Sequence, residues 1–121
     1  MLKKELNELI SHYEKDTVVI GLIESALKAC WRYMVAVNDL ELYIMTSRAS
    51  ADGQEYRDTV SSMDRNRSFA HNSLISDVTA MCRLCVKADI KPIFRGNVDN
   101  RVEVAEFAKE VVVEIFEKRR M

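Results

Sequence analysis

The residues best equipped for chemistry lie together in Asp64-Arg65-Asn66-Arg67-Ser68-Phe69-Ala70-His71-Asn72, which interrupts an otherwise apolar seam with charge. A guanidinium can stabilise developing phosphate charge, an amide can orient a substrate, and an imidazole can move protons near neutral pH. Arg67 and His71 stand at i, i+4 and share a helix face. Asp64 lies one turn before Arg67 and Ser68. On a preceding helix, Asn38 and Glu41 fall in or beside the seam at about the same height. Buried charge must be paired, so a layer of Asn38, Glu41, Asp64, Arg67 and His71 is expected. The bland role for such a layer is to fix register or dimer geometry, as a polar seam residue does in a coiled coil. Downstream, Asn72, Ser76, Thr79 and Arg83 form one stripe at i, i+4, i+7 and i+11, either a binding face or the solvated side of a helix.

Cys82-Arg83-Leu84-Cys85 is a CxxC, but it falls near the end of a helix with no strand before it. A redox pair prefers a helix N-terminus, where the thiol pKa drops. Zinc would need two further ligands at fixed spacing, and His71 lies about three turns away. Both thiols are expected to pack as small apolar groups. A metal- or ligand-binding bundle using the cysteines is the third-ranked function. His12, one turn after Glu8, reads as a surface side chain. No cofactor and no metal site are expected.

The elements that position these groups follow from composition. The chain has 121 residues, 48% apolar, with only three glycines and one proline. So few turn-formers exclude an all-β fold and favour a few long helices. One domain, residues 1–121, is expected at this length. Eighteen basic side chains face 19 acidic ones, and the balance holds in every segment. No basic stripe marks a general nucleic-acid binder. No signal peptide or membrane span is apparent, and three cysteines in a chain able to build a core fit a reduced cytoplasm.

Periodicity predicts a helix over about 2–14, with Leu2, Leu6, Leu9, Ile10 and Tyr13 on one side. Asp16 or Thr17 then caps a helix running to about Arg48, with a seam through Ile20, Ile23, Leu27, Trp31 or Cys30, Met34, Val37, Glu41 and Ile44. After a turn at Ser50-Ala51-Asp52-Gly53, a third helix spans about 53–87. Its seam is Tyr56, Val60, Met63, Arg67, Ala70, Leu74, Val78, Met81 and Cys85. A loop from Asp89 to Asn100 holds Pro92 and Gly96. Asn100 and Glu103 then form a capping box for a fourth helix, which continues through Val104, Phe107, Ala108, Val111, Val112, Ile115 and Phe116 and is closed by Lys118, Arg119 and Arg120. The fold expected is an all-α antiparallel four-helix bundle with two long central helices and two shorter flanking ones.

The central helices would each reach about 50 Å, against about 20 and 30 Å for the first and fourth. Both short helices attach at the same end of the long hairpin. Its other end, roughly Val35 to Ala70, is left as two helices carrying Val37, Leu40, Leu42, Ile44, Met45, Val60, Met63 and Phe69. Such a patch marks an interface. Either two copies pair these arms as a homodimer, or a break near residue 62 folds the arm back.

Two resemblances bear on function. Arg65-Asn66 followed by His71 resembles the Arg–polar–spacer–His motif of HEPN-domain ribonucleases, helical and usually dimeric enzymes that cleave RNA without metal. The resemblance implies that Arg65 stabilises phosphate charge, Asn66 orients the site and His71 transfers protons. In a straight helix Arg65 and His71 point about 120° apart, so the motif needs a break or a dimer partner. The longer stretch RNRSFAHNSLISDVTAMCRLC, with a long helix before it and Ile-Lys-Pro-Ile-Phe after it, resembles a family of small bacterial helical proteins of unknown function. The residues carrying that likeness are Arg65, Arg67, His71, Asn72, Leu74, Ile75 and Arg83; Cys82 stands where the family pattern has Asn. The leading expectation is a non-enzymatic dimeric protein-interaction module; the alternative is the metal-independent ribonuclease, under which alone a nucleic-acid partner is expected.

Overall fold

A computed structural model describes residues 2–47 and 53–117. Among them are four α-helices and no strand: α1 (Leu2–His12), α2 (Thr17–Thr46), α3 (Gln54–Lys87) and α4 (Arg101–Val111). A π-helical segment, Val112–Glu117, continues α4. Arg48, the turn at Ser50 to Asp52 and the basic closure at Lys118 to Arg120 lie outside the described residues, as does the side chain of Leu2.

The two long helices, α2 and α3, pack along one another. Their contacts ascend on one helix as they descend on the other: Ser25 bonds Asp77, Tyr33 packs on His71, and Tyr43 stacks on Tyr56. α4 lies on α2, and the π-helical segment touches both α1 and α2. The third helix runs unbroken from Gln54 to Lys87. The break expected near residue 62 as an alternative is absent, because no proline or glycine interrupts the backbone ladder there.

The buried residues gather at one end of the long pair. Leu6 and Leu9 of α1 meet Ile23, Ala26, Ala29, Cys30 and Tyr33 of α2, Leu74, Val78, Met81 and Cys85 of α3, and Val104, Phe107, Ala108 and Val111 of α4. Ile93 and Phe94 of the loop plug the base of this cluster. On α2 the buried positions are 23, 26, 29, 30 and 33: Ile23 and Cys30 belong to the expected seam, whereas its Leu27 and Met34 are only half-buried. The helix turns its small residues inward because Ala26 and Ala29 let neighbouring backbones approach closely, while Leu27 and Met34 flank the contact.

Local signals set the helix ends. Asp16 caps α2, its carboxylate accepting from the Val19 amide at 3.2 Å. Asn100 caps α4, accepting from the Val102 and Glu103 amides. The expected capping box does not close. Glu103 reaches past Asn100 and accepts from the Asn97 amide at 2.6 Å, while the Asn100 amide donates to the Asn97 carbonyl. Gly96 makes room for this: a Cβ there would stand 2.8 Å from Glu103 Oε2.

At the end of α3 the Ile90 amide donates to the Cys85 carbonyl and the Asp89 amide to that of Val86. This is a Schellman closure, with Asp89 in the left-handed region at φ 54°. Glycine is the natural occupant of that position. Asp89→Gly is therefore expected to raise stability by about 0.5 kcal/mol, read from the urea midpoint.

The switch to π geometry follows the core. The expected α-helix through Phe116 gives way at Val112, and the wider turn lets Val111, Val112 and Ile115 all be buried. Phe116 meets Trp31 of α2 at 5.4 Å between ring centres.

Candidate functional site

His71 is the one buried polar side chain among the described residues, 5% exposed. It sits where the core gives way to the projecting part of α2 and α3. Its ring packs on Tyr33 at 5.5 Å, tilted by 54°. Its Nε2 is buried and has no hydrogen-bond partner. Arg67, one turn earlier on the same face, is half-buried and bonds Asp64 Oδ1 through Nε at 2.9 Å. It also donates to the Ser68 hydroxyl at 3.3 Å. The bond to Asp64 holds the Arg67 pKa above its ordinary value, with Tyr33 a smaller contributor.

The charges around His71 come from two helices. Burial first, then the positive charges of Arg101 on α4 and Arg67 on α3, lower its pKa below the usual histidine value; Tyr33 of α2 contributes a neutral ring. The sign of the linkage is fixed by this. Above an unfolded-state pKa of about 6.5 both states carry a neutral ring and nothing is lost. Below it the unfolded chain takes up a proton that the folded chain resists, so stability falls as pH drops toward the folded pKa. We expect the urea midpoint to fall below pH 6.5, by at most about 1.4 kcal/mol per pH unit from this group. The fall should be shallower in His71→Phe, which keeps the ring contact; an unchanged pH profile in that variant would refute the assignment.

The structure brings Asp64, Arg67 and His71 together but separates them from the other expected members of the layer. Asn38 and Glu41 are exposed on α2. The register explains this. With Tyr33 facing His71 and Tyr43 facing Tyr56, Glu41 falls more than two turns along α2 from the residue that meets His71. Tyr33 fills the place given in the sequence reading to Glu41. Arg65 and Asn66 are exposed. Asn66 lines a separate groove of about 330 Å³ with Trp31, Arg32, Val35, Ala36, Asp39 and Met63. In the unbroken α3, then, Arg65 and Asn66 face solvent while His71 faces the core. Asn72, Ser76 and Arg83 are exposed, and Thr79 turns its hydroxyl back to the Ile75 carbonyl. His12 and Glu8 are exposed on α1.

Tyr33 and Arg101 were not singled out in the sequence. The spacing 23, 26, 30, 33 would have found Tyr33 had alanines been counted as core. Arg101 had no local signal, because the loop before α4 brings it there.

The thiols behave as packing groups. Burial, then the charge of Asp77, pushes the Cys30 pKa up to about 12. Burial also raises Cys82 and Cys85, and Cys82 Sγ points to the Phe94 carbonyl at 3.7 Å. Thiolate is the reactive form, so none of the three is primed. Among the described residues no three His, Cys, Asp or Glu side chains converge as metal ligands, and no helix is long and apolar enough to cross a membrane.

These features define an all-helical protein whose two long helices project beyond a small core, with buried Tyr33 and His71 and half-buried Arg67 at the junction. The chain belongs to the family described as "Protein of unknown function (DUF3232)", which it matches over residues 2–121. No curated protein and no solved structure matches it.

Proposed function

We propose that the protein is a non-enzymatic, dimeric interaction module. In this reading it is an antiparallel four-helix bundle in which α2 and α3 are the long central pair and α1 and α4 the short flanking one. The observation that carries it is the apolar surface of the projecting arm. Among the described residues between 34 and 70 no side chain is fully buried, whereas Leu42 is 60%, Met45 66% and Phe69 65% exposed. Isolated exposed apolar residues are ordinary, but several on one two-helix projection mark an interaction surface. A second copy is the simplest partner, since a two-fold axis gives each arm a surface of identical chemistry. Sedimentation equilibrium of the purified chain should give a dimer in the micromolar range. A monomer at every concentration would sink this reading.

The alternative, a HEPN-like ribonuclease using Arg65, Asn66 and His71, asks His71 to exchange protons with a substrate at the surface. Its burial, and the opposite orientation of Arg65 and Asn66, favour the structural role. Incubation with structured and single-stranded RNA in chelator separates the two. Cleavage that disappears in His71→Ala would reinstate the enzyme; we expect none.

A further inference from the structure

Between α2 and α4, with Tyr33 in its wall, runs a groove of about 400 Å³. Its walls are Tyr33, Met34 and Val37 from α2 and Val102 and Ala105 from α4; Arg101, Glu106 and Lys109 stand along it. The lining is mostly apolar and the size is that of a small-ligand site.

The charge along the groove is specific. Arg67 is tied to Asp64 and Arg95 to Glu5. Arg101 and Lys109 have no carboxylate within ion-pair distance among the described residues. Glu106 is the one anion on the groove, and it also borders the acidic cleft that holds Glu5, Glu103 and Glu110. Two cations against one anion leave an excess of one positive charge beside an apolar trough. Arg101 also stands in the first turn of α4, where the helix dipole favours an anion. Behind the groove wall, the His71 ring meets that of Tyr33 at a tilt and leaves its Nε2 without a partner.

We propose that this groove binds a free, singly charged amphiphile of the medium-chain carboxylate class. The carboxylate sits on Arg101, and the alkyl body lies along Met34, Val37, Val102 and Ala105 toward Lys109. Apolar burial supplies affinity and the fork of Arg101 supplies orientation. The groove shares Val37 with the projecting arm, whereas its charged residues all lie on α4.

Octanoate, octanol and octylamine, titrated calorimetrically into the full-length protein at low ionic strength, test the proposal. Octanoate should bind saturably, one per chain, and at least tenfold more tightly than octanol or octylamine. It should shift the NMR signals of the Tyr33 and His71 rings. Arg101→Glu should weaken it at least tenfold, and Val102→Glu should do the same from the apolar wall. Both positions are exposed, so folding is not at stake. Absence of octanoate binding, equal binding of octanol, or indifference to both substitutions would overturn the proposal. So would binding only to vesicles of anionic lipid, which would make the surface a membrane contact. If the second copy fills the groove, octanoate binding fails and Val102→Glu converts dimer to monomer, which also overturns it.

Discussion

Leu42→Glu combined with Met45→Glu is expected to abolish the dimer while leaving the fold and its melting temperature in dilute solution unchanged. Leu42 and Met45 are 60% and 66% exposed near the end of α2. In one chain alone a charge there meets water and costs almost nothing, as surface substitutions away from packed sites stay within about 0.5 kcal/mol. In a pairing of arms each copy would bury two carboxylates against apolar neighbours, and the two-fold axis doubles the penalty. Buried unpaired charge costs several kcal/mol per ion, so dissociation should tighten no further than the millimolar range. Sedimentation equilibrium checks the loss of dimer, and circular dichroism checks that helix content is kept. A double variant that remains dimeric would place the interface elsewhere.

The second large effect is on stability. Leu74→Ala should cost about 3 kcal/mol, within the range for fully buried leucines whose neighbours relax only in part. Leu74 has no exposed surface and stands at the centre of α3's core face. It packs in the cluster shared by α1, α2 and α4. Met45→Ala, on the same hairpin but outside that cluster, should change the stability of the dilute chain by less than about 0.5 kcal/mol. Urea unfolding of both variants measures the contrast. Similar losses for the two would mean that the arm is part of the cooperative core.

That contrast also shows what the sequence made legible. Helical periodicity carries its information in large apolar residues, so Leu6 and Leu9 in α1, Leu74, Val78, Met81 and Cys85 in α3, and Val104, Phe107 and Val111 in α4 were readable as core. The uneven helix lengths implied that one end of the hairpin is uncovered, and burial does concentrate at the other end. On α2, Ile23 and Cys30 are legible as core, but the rest of the buried face is not, because Ala26 and Ala29 are weak hydrophobic signals, although close packing is what small residues permit. The candidate site was hidden for a different reason: Glu41 stands more than two turns along α2 from Tyr33, and the axial register that sets Tyr33 beside His71 has no local pattern to report it. The Glu103 bond to Asn97 was equally hidden: a capping box and this longer reach share one sequence signature, and the choice is made by the close approach at Gly96. The π turn at Val112 arises from tertiary packing, which periodicity along a single helix does not encode.

Concentration-dependent hydrogen exchange tests the central claim, that the projecting arm is where two copies meet. Amides of α2 from about residue 35 to 46 and of α3 from about 54 to 69 should be protected at high protein concentration and exchange faster on dilution, while those around Leu74, Val78 and Val104 should not change. Exchange independent of concentration throughout the arm, or a concentration effect confined to α1 and α4, would contradict it.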